Sequence, residues 1–291
     1  MYYFLIIVIL YIIIIFYFHL NNPELRWDWN SISTKNITFP SSFIWGVATS
    51  AHQVEGNCNN NWSEYENSFE KTGVSNISNN QKSGNACDHW NLFPNDIKLI
   101  QELGLTHYRF SIEWSKIQPK KDTVSLEAIN HYKIMVNTLI ENSIIPVITL
   151  HHFTNPIWFE KMGAFEKENN IVYFVSFCEK IFDEFSGKVK YWCTINEPAV
   201  YASQGYFTGL FPPGKTSAIL TVNVLKNLLE AHIRVYRSLK VRKNGSTAKI
   251  GIVKNINQFE PWRRWNLFDW ILSKFVNYYF NELTINFFKT G

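Results

Sequence analysis

Tyr191-Trp192-Cys193-Thr194-Ile195-Asn196-Glu197-Pro198 joins a short apolar run to an amide, a carboxylate and a proline. Tyr191–Ile195 is nearly continuous in its apolar character, as a strand buried on both faces of a parallel sheet must be. Its polar end leaves a carboxylate just where such a strand stops. Outward from here the chain alternates short apolar runs with longer helical patterns. Ile44–Ala48, His107–Ile112 and Ile145–Leu150 read as earlier strands, and Lys249–Lys254 as a fifth. Pro146 is tolerated near the beginning of its strand. Asp96–Leu103 reads as a helix that stops at Gly104, a residue suited to a helix C-terminus. Leu126, Ile129, Tyr132, Val136, Leu139 and Ile140 recur at helical spacing. Ile171–Phe185, about Leu220–Leu239, and most of Leu267–Phe288 complete the helices.

Strand–helix alternation with apolar strands predicts an α/β fold, a parallel sheet with covering helices. A doubly wound open sheet and a (β/α)8 barrel both fit. The open sheet usually carries a Gly-rich phosphate loop after its first strand, and none is present. Polar residues cluster instead after the strands: His52 and Gln53, Arg109 and Glu113, His151 and His152, Asn196 and Glu197. In a barrel the C-terminal strand ends build the active site, so the pattern favours a (β/α)8 TIM barrel. The chain offers about the first five β/α units, so the expected barrel is incomplete, with open strand edges.

The 291 residues suffice for one sizeable core. The net charge of +4 comes from dispersed Lys and Arg, which excludes a basic patch for nucleic acid. Cys58, Cys87, Cys178 and Cys193 form no CxxC pair, so no metal or redox centre is expected. Cys178 and Cys193 read as buried free thiols, and a Cys58–Cys87 disulfide is disfavoured. Residues 2–18 are uncharged and long enough to span a bilayer, with Tyr2, Tyr3, Tyr17 and Phe18 near the ends. A cleavable signal would want a basic start and small cleavage residues. Both are missing, which favours an uncleaved anchor, and Glu24, Arg26 and Asp28 nearly cancel as orientation signals. The expected organisation is a transmembrane or signal-anchor segment at 1–20, a polar linker at 21–38 and the barrel portion at 39–291. The chain is then membrane-anchored, or secreted if the segment is cleaved. Sequons stand at Asn36, Asn61, Asn76 and Asn244.

Four stretches carry a resemblance. They are Phe43-Ile44-Trp45-Gly46-Val47-Ala48-Thr49-Ser50-Ala51-His52-Gln53-Val54-Glu55-Gly56, then His107 through Pro119, then Thr149-Leu150-His151-His152-Phe153, and finally Trp192 through Pro198. In this order, each at a strand end, they resemble the signatures of glycoside hydrolase family 1, over nearly all of Phe39 to Gly291. The resemblance implies a retaining β-glycosidase of β-glucosidase type, acting on β-glycosides in carbohydrate metabolism without cofactor or metal.

Taken alone, Glu197 reads as an exposed loop carboxylate that caps the next helix. The resemblance implies the general acid/base, a role that needs an elevated pKa. Asn196 matches the residue that binds the sugar 2-hydroxyl. Gln53 and His152 match glycone-binding residues, although a lone His152 would read as a core histidine. Phe153 stands where Trp is frequent and Thr154 where Asp is, which alters one stacking and hydrogen-bonding contact. Arg109, otherwise a structural ion-pair residue, matches the partner of the nucleophilic carboxylate. Glu113 matches no catalytic position and reads as structural. His151 and His152 point to opposite sides of a strand, so they suggest no metal pair. A retaining site needs a second carboxylate about 5–5.5 Å from the first. The resemblance places it in a Thr-Glu-Asn-Gly type motif, which residues 1–291 do not contain. The expected partner is a C-terminal half outside this chain. A non-catalytic, membrane-anchored glycan-binding relative and an inactive gene fragment are the alternatives.

Overall fold

In the computed structural model, which describes residues 2–23, 28–69 and 73–290, all five apolar runs are strands. They are β1 (Gly46–Ala48), β2 (His107–Ser111), β3 (Ile145–His151), β4 (Tyr191–Asn196) and β5 (Lys249–Val253). Every neighbouring pair is parallel and the order is β1-β2-β3-β4-β5. The order never reverses, so the switch point of a doubly wound sheet is absent among the described residues. β1 is shorter than its apolar run, since Ile44 and Trp45 precede the ladder. Gly46 sits where a Cβ would lie 2.6 Å from the His107 carbonyl oxygen. Only glycine allows that approach of β1 to β2.

The helices, in chain order, begin with α1 (Tyr2–Asn21), α2 (Ala51–Val54), α3 (Asn61–Glu66), α4 (His89–Glu102) and α5 (Trp114–Ile117). There follow α6 (Leu126–Glu141), α7 (Ile157–Lys161), α8 (Ile171–Phe185), α9 (Pro198–Tyr206) and α10 (Ala218–Lys240). The last two are α11 (Leu267–Asn277) and α12 (Leu283–Thr290), joined by a π-helical turn over Tyr278–Glu282. α4 begins seven residues before the expected Asp96, because Pro94 lies within it rather than ahead of it. A proline there forfeits one backbone bond, a cost that burial of Phe93, Ile97 and Ile100 offsets. Ser125 caps α6 by accepting from Ala128 N, and Ser217 caps α10 by accepting from Leu220 N.

The chain forms two compact units, Ile44–Lys254 and Met1–Phe43 with Asn255–Gly291. In the first, Phe110, Ile148, Leu150, Trp192 and Ile195 fill the sheet. Their cover is the apolar stripes of α6 (Ile129, Tyr132, Val136, Leu139), α8 (Phe174, Cys178, Ile181, Phe182) and α10 (Val224, Leu228, Val235, Leu239). Each Val, Leu, Ile or Phe among them contributes about 1.5–3 kcal/mol when fully buried. All four cysteines are free; Cys178 is buried, but Cys193 is only half-buried. Cys193 alternates with the fully enclosed Trp192 and Thr194 on β4 and so takes the less covered side. In the second unit α1 exposes its apolar side chains and buries none. Near its end Phe18 stacks on Trp270 at 5.0 Å, and Lys274 Nζ donates to Asn22 Oδ1 at 3.0 Å. Residues 28–45 carry one short helical turn, Trp29–Ser31. Glu24 and Arg26, weighed above for orientation, lie outside the described residues.

Candidate active site

The site residues arrive one strand end at a time. Beyond β1 the chain turns into α2, whose Ala51 N–H donates to Ser111 Oγ at 2.8 Å and so fastens it to the end of β2. Gln53 projects from α2, exposed, with Oε1 accepting from Ser50 Oγ at 2.7 Å. Its amide NH2 keeps two donors for a ligand. Arg109 on β2 reaches across the sheet. Its Nε donates to Thr149 Oγ1 on β3 at 3.1 Å, and its Nη2 donates to Asn196 Oδ1 on β4.

Past β3 the two histidines separate. His151 is buried, its Nε2 is 3.0 Å from Asn155 Oδ1, and rings of Phe165, Phe174 and Tyr201 surround it. His152 turns the other way, into a cavity of about 410 Å³ that Gln53 and Phe153 also line. Burial pushes the His152 pKa down to about 3, helped by Arg109 and then His151. The imidazole is therefore neutral, with one donor and one acceptor nitrogen. Its Nδ1 is buried without a hydrogen-bond partner, an unusual state in a native interior.

Past β4 come Asn196, buried, and Glu197, half-buried. The β4–β5 pairing shifts register between Cys193 and Asn196, and Glu197 N donates to Val253 O at 2.9 Å. Such irregularities re-aim side chains at strand ends. Glu197 has φ 45° and Phe153 φ 70°, left-handed conformations that cost a residue with a Cβ about 1–2 kcal/mol. Glu197 directly follows β4 and Phe153 lies two residues beyond β3, both beside site residues, where strain of this kind concentrates. Lys254, just after β5, has its pKa lowered by burial, partly countered by the Glu197 carboxylate. The candidates thus form two groups: Gln53, His152 and Phe153 around the cavity, and Arg109, Asn196 and Glu197 along β2 and β4.

Trp62, Glu66 and Phe211 are cavity walls that the sequence did not mark. Trp62 and Phe211 pack edge to face at 4.9 Å and line the cavity with His52, Glu66 and Thr154. His52 Nε2 lies 3.0 Å from Glu66 Oε1, and Ser83 donates to Glu66 Oε2 through both N and Oγ. Trp62 sits in Asn-rich loop-like sequence with no periodicity to mark it, separated from the end of β1 by α2. Glu113 is fully buried, and its Oε1 accepts from Ser115 N and Oγ at the start of α5. Among the described residues no cluster of three or more His, Cys, Asp or Glu side chains is placed to hold a metal.

Next to α2 lies a buried acid. Glu55 Oε1 accepts from the Tyr132 hydroxyl at 2.6 Å, and Lys116 Nζ is 3.4 Å from its Oε2. Burial raises the Glu55 pKa to about 7 despite Lys116 and Tyr132. A folded pKa above the unfolded one means that the folded chain holds the extra proton. Stability from this group therefore falls as pH rises from about 4.5 to about 7, with a limiting slope near 1.4 kcal/mol per unit. Glu55→Gln removes that slope. Urea unfolding at pH 5 and pH 7 should show the variant gaining on the parent at the higher pH. An equal difference at both would contradict a protonated Glu55.

Residues 35–276 match the family described as Glycosyl hydrolase family 1. The chain is 34% identical over 227 residues to a 1,4-beta-D-glucan glucohydrolase of Thermotoga neapolitana, covering 77% of this chain and 52% of that one. To a cytosolic beta-glucosidase of Homo sapiens it is 34% identical over 211 residues, with 69% and 44% covered. Among solved structures, a beta-glycosidase from Pyrococcus horikoshii superposes with TM-score 0.77 and 37% identity, over 85% of this chain and 55% of that one. A beta-glucosidase from Thermotoga maritima in complex with glucoimidazole gives TM-score 0.77 and 30% identity, over 83% and 55%. The chain spans about half the length of the curated relatives it matches.

Proposed function

From the premise that this chain belongs to glycosyl hydrolase family 1, we propose that it supplies the acid/base and sugar-binding portion of a retaining β-glycosidase of β-glucosidase type. Its five units are the first five of a (β/α)8 barrel, and the nucleophile comes from residues outside 1–291. Glu197 protonates the leaving oxygen and then deprotonates water. Asn196 binds the 2-hydroxyl, Gln53 and His152 bind other hydroxyls of the same sugar, and Phe153 forms part of its floor. Arg109 holds Asn196 and stands ready to keep a nucleophilic carboxylate ionised. No step calls for a metal or cofactor.

The observation that carries this reading is the meeting of Gln53, His152 and Phe153 in one cavity of about 410 Å³. They come from two strand ends nearly a hundred residues apart. The test joins this chain to a complementary half-barrel bearing a nucleophile and measures hydrolysis of an aryl β-glucoside. His152→Ala and Gln53→Ala should each lower kcat/KM by roughly 10–100-fold, as loss of one or two hydrogen bonds to a buried sugar would. Full activity in both variants would leave the cavity without a role in turnover and would favour another site.

α1 is the proposed membrane anchor. Its 20 residues extend about 30 Å, the thickness of a bilayer core, and from Tyr2 to Phe18 its side chains are apolar or aromatic on all sides. The intact chain should stay with membranes through carbonate extraction, and deletion of residues 2–20 should release it. Soluble recovery of the undeleted chain with its N-terminus intact would refute the anchor.

A further inference from the structure

The four sequons differ sharply in what the fold leaves of them. Asn61 is buried; its Oδ1 accepts from Asn155 N at 2.8 Å and its Nδ2 donates to Phe153 O at 3.3 Å. A glycan there would break the link between α3 and the loop after β3. Asn76 is half-buried, with Nδ2 donating to Ser68 Oγ at 2.7 Å and to Tyr65 O at 3.4 Å. Both amide hydrogens are engaged. Asn36 is exposed in the segment that follows α1. Asn244 is different again. It lies on the turn between α10 and β5, exposed together with Ser246, the hydroxyl residue of its Asn244-Gly245-Ser246 sequon. This turn feeds the start of β5, the end of the sheet opposite Glu197. Asn244 Nδ2 donates once, to Ser186 Oγ at 3.3 Å. The second amide hydrogen remains for substitution, and a glycosylated amide keeps the first.

Asn244 also forms part of the wall of a cleft of about 530 Å³. The cleft has an apolar wall in Phe185 and polar groups in Lys133, Asn137 and Lys188. It is larger than the cavity at the strand C-terminal ends, and nothing in the proposed catalytic reaction uses it. We propose that Asn244 carries an N-linked glycan whose first N-acetylhexosamine occupies this cleft. The left-handed backbone of Asn244, φ 64°, accounts for an asparagine in the turn. It does not account for a hydroxyl residue at 246, nor for the cleft. In the transfer, Nδ2 forms a bond to the anomeric carbon of a polyprenyl-diphosphate-linked oligosaccharide. The diphosphate leaves, and the displaced amide proton goes with it. The proposal rests on the reading of α1 as a membrane anchor, with the barrel portion on the luminal side.

The test expresses the full chain in eukaryotic cells and treats isolated microsomes with protease, with and without detergent, to locate the barrel portion. Intact glycopeptides are then mapped by mass spectrometry. This avoids reliance on deamidation, to which an Asn-Gly pair is prone. The expected result is a protected barrel portion and an N-acetylhexosamine-bearing peptide containing Asn244. Ser246→Ala should abolish that glycopeptide and leave carbonate resistance unchanged. A protected barrel portion with bare Asn244 would overturn the site and spare the anchor. A protease-accessible barrel portion would overturn the luminal orientation and the site together.

Discussion

Glu197→Gln, in the chain joined to a nucleophile-bearing half, is expected to lower kcat/KM by roughly 10²–10⁴-fold on β-glucosides with poor leaving groups, the usual worth of a positioned general acid. Gln keeps the shape and two polar atoms but carries no transferable proton. Its position between β4 and α9 should hold, because the backbone bonds there are made by main-chain atoms. Glu197 N donates to Val253 O, and Glu197 O accepts from Val200 N and Tyr201 N. Activated aryl glucosides, whose leaving groups need little protonation, should lose far less in the glycosylation step. Equal losses on both substrate classes would speak for a structural Glu197.

The second large effect concerns stability. Phe165→Ala should cost about 3–5 kcal/mol in urea unfolding, a large part of the 5–15 kcal/mol typical of a domain. The Phe165 ring is fully enclosed, with centroids of His151, Phe159, Phe174 and Tyr201 at 5.2, 5.2, 5.5 and 6.3 Å. Its carbonyl accepts from Asn227 Nδ2 at 2.8 Å. Truncation therefore opens a cavity that side chains from four elements would have to close. A cost below about 1 kcal/mol would mean that this aromatic cluster repacks freely.

Sequence carried the five strands well because each is a short apolar run ending in polar residues, a signal local to the chain. Tyr191–Asn196 and His107–Ser111 fell within a residue of their expected limits. The long helices were legible from their spacing, as on α6 and α8. The short ones were not: α2, α3, α5 and α7 span four to six residues each, too few to display a period. All four supply cavity walls or buried anchors: Gln53 on α2, Trp62 on α3, Trp114 on α5 and Phe159 on α7. Gln53 stood out as a polar residue after the first strand, but its sugar-binding role came only from the resemblance of its motif to a family signature. Trp62 and Phe211 were missed because residues far apart in the chain form that wall together. The left-handed backbone at Phe153 and Glu197 was equally hidden, since neither residue type advertises a positive φ. The separation of His151 from His152, by contrast, followed from strand alternation alone.

Azide rescue of the joined Glu197→Gln protein tests the central assignment most directly. With an activated aryl β-glucoside, a glycosyl-enzyme intermediate should form and then wait for a base that the variant lacks. Azide needs no base, so turnover should rise with azide concentration, and NMR should identify the product as the β-glycosyl azide, with configuration retained. No azide-dependent rate and no β-glycosyl azide, in a variant that still forms the intermediate, would contradict Glu197 as the acid/base.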